Sequence, residues 1–154
     1  MEVGDLLTRS AVAIRASAPN KRQLLHVLAD LAAPSFGVPA EAVFEGLAER
    51  EALGSTGLGG GVAVPHARLA GLSRVTGVFL RLEQPVAFEA LDDLPVDLVF
   101  GLFAPAEAGA EHLRALAAVS RLLRRSEVRD RLRQARSADS LYALLSDQVQ
   151  AHAA

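Results

Sequence analysis

The 154-residue chain contains no cysteine and no tryptophan, a single methionine and a single tyrosine, and only 5% aromatic residues. Without cysteine there is no disulfide framework, no thiolate zinc site and no thiol nucleophile. Scarce aromatics imply an aliphatic core, built on Leu, Val and Ala and on close approach of neighbouring elements. An excess of one charge is also missing, because 16 Lys and Arg stand against 18 Asp and Glu for a formal net charge of -2. A large nucleic-acid footprint therefore has little to stand on. No apolar run approaches the roughly 18 residues that span a bilayer, and Met-Glu-Val-Gly-Asp lacks the basic and apolar regions of an export signal. The expected setting is cytoplasmic, without membrane insertion. With 51% apolar and 22% charged residues and no repeat or low-complexity linker, the composition predicts one globular domain over residues 1–154.

Periodicity and punctuation predict the elements. Asn20 reads as the N-cap of a helix with Leu24, Leu25, Leu28 and Leu31 on one stripe, and Pro34 helps end it. A second helix starts at Pro39, carries Val43, Phe44 and Leu47, and stops at Gly54. Arg50, seven residues after Val43 and three after Leu47, points roughly where that buried stripe points, so its charge needs a partner. Gly54 to Gly61 holds five glycines in eight positions and reads as a loop with unusual backbone angles, leading into a short strand Val62-Ala63-Val64 and then Pro65-His66. Strands are predicted at Val75 to Leu82 and Val96 to Phe103, with Asp97 at the start of the latter. Helices follow at Glu111 to about Arg125, Val128 to Gln134 and Ala138 to Gln148. Helices before, between and after strands predict an α/β sandwich around a small sheet.

The glycine loop invites a nucleotide reading, but the detailed patterns fail. A Walker A loop needs Lys and Ser or Thr after its second glycine, where Gly60 and Gly61 stand. The dinucleotide fingerprint needs glycine at Val62, in a loop that opens a helix rather than a strand. A nucleophile elbow needs glycine two residues before its serine, where Ser55 has Leu53. His66 ends a stiff apolar strand beside this loop and is the first candidate for chemistry, against the plain reading of a hydrogen-bonded loop histidine. His112 is the second. It starts an i, i+4, i+7, i+11 line with Leu116, Val119 and Leu123 near a helix N-terminus, where partial positive charge favours an anion. Arg50, Ser55 and Thr56 add a cation and two hydroxyls suited to a phosphate-like dianion. His26 and His152 lack such company and read as structural. The arginines between Arg121 and Arg133 alternate with Glu127 and Asp130 and read as a solvated helix face. No metal site is expected, because His66 and His112 are not at ligand spacing and no Cys or paired carboxylate completes a set.

The stretch Arg50-Glu51-Ala52-Leu53-Gly54-Ser55-Thr56-Gly57-Leu58-Gly59-Gly60-Gly61-Val62-Ala63-Val64-Pro65-His66 resembles the signature of the fructose/mannitol-type enzyme IIA family of the bacterial phosphotransferase system. Gln84 to Phe88, Pro95 to Phe100, His112-Leu113 and Leu141 to Leu145 extend the resemblance over nearly the whole chain. Its length, the opening Leu6-Leu7 and the Leu-Tyr ending are most similar to the nitrogen-regulatory branch. The resemblance implies a mixed, mostly parallel sheet flanked by helices on both faces. It also implies a phosphocarrier with no cofactor: a histidine phosphotransferase whose His66 accepts a phosphoryl group, on Nε2, from the phosphohistidine of an HPr-like carrier. His112 matches the second active-site histidine and Arg50 the arginine of the Arg-Glu motif. Support from the N–H groups of Gly59, Gly60 and Gly61 and the hydroxyls of Ser55 and Thr56 is expected. Downstream, regulatory target proteins are expected, or alternatively an enzyme IIB of a fructose or mannitol transporter. Ala67-Arg68 stands where that branch commonly has Gly-Lys, which keeps one positive charge with a different donor geometry.

Overall fold

The computed structural model describes residues 2–146. Strand β1 (Val12–Ala16) is followed by helices α1 (Lys21–Phe36) and α2 (Ala40–Ala52), and three short strands come next: β2 (Gly57–Gly59), β3 (Val62–Ala63) and β4 (His66–Leu69). Two long strands, β5 (Thr76–Val86) and β6 (Val96–Pro105), precede helices α3 (Ala110–Leu123), α4 (Ser126–Gln134) and α5 (Ala138–Ser146). The sheet runs β1-β5-β6-β3-β2, with β4 also on β6. Pairings β1/β5, β3/β6 and β4/β6 are parallel, and β5/β6 and β2/β3 antiparallel. The mixed, mostly parallel sheet implied by the resemblance is present.

Alternation along the strands feeds two cores. Val78, Leu80, Val99 and Phe103 pack under α1 and α2, while Phe79, Leu98, Phe100 and Leu102 pack under α3, α4 and α5. The period of two sends successive side chains to opposite faces, so each long strand needs apolar residues in both phases. Among the described residues no helix is long and apolar enough to cross a membrane.

Asn20 caps α1 as its sequence predicts, with its side chain accepting from the N–H of Gln23 at 2.9 Å. Pro34 does not end that helix. It lies inside the last turn at the loss of one N–H donor, and the stop comes from Gly37 at φ 69°, whose N–H closes on the Ala33 carbonyl. The glycine stretch is also more ordered than a loop: Gly57↔Ala63 and Gly59↔Val62 pair as a small hairpin turning at Gly60 and Gly61. Both turn glycines have positive φ, 66° and 80°, which a side chain would strain. The predicted strand at Val62 to Val64 is the first half of a longer rail. Val62↔Leu98 and His66↔Leu102 keep the same register on β6, and Pro65 interrupts the ladder by lacking an N–H while its carbonyl still accepts from Leu102 at 2.9 Å. The predicted end of the last helix at Gln148, and His152, lie outside the described residues.

Candidate active site

His66 is the first residue of β4, directly after the proline break. Its Nδ1 lies 2.9 Å from the carbonyl oxygen of Val64, and Nε of Arg50 lies 3.2 Å from its Nε2. A guanidinium can only donate, so Nε2 is the accepting nitrogen and the ring proton sits on Nδ1, where it donates to Val64. Two hydrogen bonds thus select one neutral tautomer. Arg50 is itself oriented by a bond from Nη1 to the Gly54 carbonyl at 2.8 Å. It reaches the ring because Gly46, one turn earlier on α2, lies against β4. A Cβ at Gly46 would stand 3.1 Å from Cβ of Ala67 and 3.3 Å from Leu69, so the bare glycine sets the spacing of helix and strand. Burial, chiefly, and the charge of Arg50 hold the His66 pKa below its usual 6.5, against the opposing pull of the Val64 carbonyl.

His112 occupies the first turn of α3 and is buried. Its ring centre lies 5.6 Å from that of His66, with the planes inclined at 54°, and its Nδ1 is buried without a hydrogen-bond partner among the described residues. Its pKa is also held down, by burial first and then by repulsion from His66 when that ring is protonated and from Arg68. Two imidazoles and one guanidinium, carried by β4, α3 and α2, therefore converge at the break between β3 and β4.

The remaining predicted site residues are placed elsewhere. Gly59, Gly60 and Gly61 lie at the hairpin that opens the rail, with Gly59 opposite Val62, roughly 13–16 Å from His66 at the strand rise of ~3.3 Å per residue. There the Gly60 N–H donates to Asp92 and its carbonyl accepts from Arg133. The hairpin carries them away, and they do not line the imidazole. The Ser55 hydroxyl donates to the Phe88 carbonyl at 2.7 Å and accepts from the Gly57 N–H, and the buried Thr56 hydroxyl donates to Glu51. Both hydroxyls are committed to the fold. Arg129 and Arg133 are likewise more than a solvated face. Arg133 grips Asp97 and the Gly60 carbonyl, and Arg129 donates to the carbonyls of Leu123 and Arg124. His26 stacks on Phe44 with ring centres 3.7 Å apart. Among the described residues no group of three or more His, Asp or Glu side chains is placed to share a metal ion.

Sequence reasoning missed Glu51. Val43, Leu47 and Glu51 are the buried positions of α2, whereas Arg50 is half-buried. The signal was available, since Glu51 continues the i, i+4, i+8 line from Val43 and a carboxylate in that phase needs partners. It has Lys21 at 3.0 Å and both the N–H and the hydroxyl of Thr56.

Residues 5–148 match the family described as Phosphoenolpyruvate-dependent sugar phosphotransferase system, EIIA 2. The chain belongs to this family. It is 44% identical over 146 residues, 95% of either chain, to a nitrogen regulatory protein of Bradyrhizobium diazoefficiens. It is 32% identical to a PTS system fructose-specific EIIA component of Haloferax volcanii, covering 97% of this chain and 100% of that one. The crystal structure of nitrogen regulatory protein IIA-Ntr from Neisseria meningitidis superposes with a TM-score of 0.87 at 37% identity, covering 93% of this chain and 98% of that one. The fold of this EIIA chain, with His66 just after the break in its parallel strand, is thus shared along almost its whole length.

Proposed function

We infer that the chain is a phosphocarrier that accepts a phosphoryl group on Nε2 of His66 and passes it on. The observation that carries this reading is the tautomer: Nδ1–H is held by Val64, so the lone pair lies on Nε2, where Arg50 donates to it until an incoming phosphoryl group takes that place. In the transfer, that lone pair forms a new N–P bond as the N–P bond of a donor phosphohistidine breaks. The electron pair returns to the donor ring, which, protonated on its other nitrogen, leaves as neutral imidazole. The His66 proton stays on Nδ1. Catalysis of such a transfer is positioning and charge stabilisation, for which Arg50 and His112 are the donors at hand, with the first-turn N–H groups of α3 beside them.

The donor that fits is a small HPr-like phosphoprotein. Leu53 and Leu113 are 85% and 65% exposed, and each lies within three residues of Arg50 or His112, so apolar surface flanks a charged centre as a protein partner requires. A regulatory role is favoured by the higher identity to a nitrogen regulatory protein than to a fructose-specific component. In that role about two added negative charges on His66 switch the binding of target proteins in the cytoplasm. The sugar-uptake alternative uses the same site and differs only downstream, so efficient transfer to a cognate enzyme IIB would overturn the purely regulatory reading.

The test is intact-mass analysis after incubation with enzyme I, an HPr-like carrier and phosphoenolpyruvate. One acid-labile phosphoryl group is expected on the wild type and on His112→Ala, and none on His66→Ala. A wild type that takes up no phosphoryl from any carrier of its cell removes the phosphocarrier reading.

A further inference from the structure

A histidine that must keep one tautomer has its second ring N–H held by a carboxylate or by a main-chain carbonyl. Here the acceptor is a main-chain carbonyl, and a carboxylate stands two steps behind it. Buried Glu51 accepts from the Thr56 N–H at 3.2 Å and from the Thr56 hydroxyl. The carbonyl of Thr56 accepts from the Val64 N–H at 3.0 Å, and the carbonyl of Val64 accepts from Nδ1 of His66 at 2.9 Å. Between Val64 and His66 stands Pro65, which has no N–H to compete and whose carbonyl points the other way, to Leu102. Both main-chain groups of Val64 therefore turn outward, one to Thr56 and the other to the ring.

The far end of this chain of bonds is also fixed. Lys21 lies 3.0 Å from Glu51, donates to the Phe88 carbonyl at 3.4 Å, and sits 4.4 Å from the centre of the Phe88 ring. Glu51 is the neighbour of Arg50 on the last turn of α2. One helix end thus positions the donor to Nε2 directly and the acceptor of Nδ1–H through Thr56 and Val64.

We propose that Glu51 is a positioning residue that sets the tautomer of His66 through the Thr56–Val64 main chain. Its importance for transfer rests on the phosphocarrier reading, whereas its first readout does not. Imidazole 15N NMR of selectively labelled protein at about pH 7.5, where a histidine of ordinary or lowered pKa is neutral, reports the proportion of Nδ1–H and Nε2–H forms. The wild type should be almost wholly Nδ1–H. Loss of the hydroxyl's hydrogen bond to the carboxylate should raise the Nε2–H fraction roughly fivefold in Thr56→Val, and further in Glu51→Ala. Thr56→Ser, which keeps the hydroxyl, should restore the wild-type ratio. Phosphoryl uptake from the HPr-like carrier should fall in step with the Nδ1–H fraction.

A folded Thr56→Val or Glu51→Ala protein with the wild-type tautomer ratio overturns the proposal. So does a Thr56→Ser protein that behaves like Thr56→Val, because packing and not the hydroxyl would then be responsible. If Glu51→Ala does not fold, the near-isosteric Thr56 pair decides. If the wild type takes up no phosphoryl, the phosphocarrier reading fails while the tautomer ratios still judge the role of Glu51.

Discussion

At the scale of single residues, His66 is a base whose protonation would abolish its use. Burial and Arg50 lower its pKa from 6.5, so the ring is neutral through the neutral range and loses its lone pair only in more acid solution. The rate of phosphoryl uptake should accordingly be level between about pH 7 and 8 and fall towards tenfold per unit only below that lowered pKa. Rapid-quench measurements across this range check it. Arg50→Met removes both a positive charge and the donor to Nε2, so the His66 titration should move up towards the ordinary value and uptake should slow by roughly 10- to 100-fold. An unmoved titration would leave Arg50 without the electrostatic part assigned to it. Of these residues the two histidines and Arg50 were legible in the sequence, because each was a polar group at a position where geometry asks for a reason. Ser55 and the three glycines are placed away from the imidazole and Thr56 reaches it only through the main chain of Val64; spacing along a chain does not reveal this, nor that a hairpin will turn Gly60 and Gly61 towards Arg129 and Arg133. Glu51 was hidden by its more conspicuous neighbour.

At the scale of elements, the site depends on how closely α2 lies on β4. Gly46→Val should push the helix from Ala67 and Leu69, cost about 1–3 kcal/mol of stability, and slow phosphoryl uptake as Arg50→Met does. Gly37→Ala provides the contrast. It strains a residue at φ 69° with open space around it and should cost ~1 kcal/mol without touching the rate. Urea denaturation and the uptake assay, run on both proteins, separate the two effects. Helices α1 and α3 were readable because three or more turns of periodic apolar residues exceed any competing pattern, and β5 and β6 because the apolar runs at Val78 to Leu80 and Leu98 to Ala104 do the same. Strands β1, β2 and β4 were not, for opposite reasons. Five, three and four residues are too few to establish an alternation, and Gly-Leu-Gly or His-Ala-Arg-Leu is held as a strand only by the partner already in place.

At the scale of the whole molecule, one buried and one half-buried imidazole make stability depend on pH in one direction. His66 and His112 both have folded-state pKa values below 6.5, so as pH drops through 6.5 the unfolded chain binds protons that the folded chain refuses. Stability is full above that value, declines below it, and stops declining from this source once the folded-state values are passed. Urea midpoints measured downward from neutral pH should show this decline, and the His66→Ala, His112→Ala double variant should show less of it. The sheet that carries these groups has several flanks without a further strand, since among the described residues β1 pairs only with β5, β2 only with β3 and β4 only with β6. An open flank is a template on which another chain can add a strand and begin to aggregate. Pro65-His66-Ala67-Arg68 opposes that with a proline that offers no donor, a run of four residues and an exposed arginine. The segment that presents the imidazole outward therefore also guards the protein's solubility, and replacing it for the sake of chemistry would put at risk the chain's ability to stay apart from its own copies.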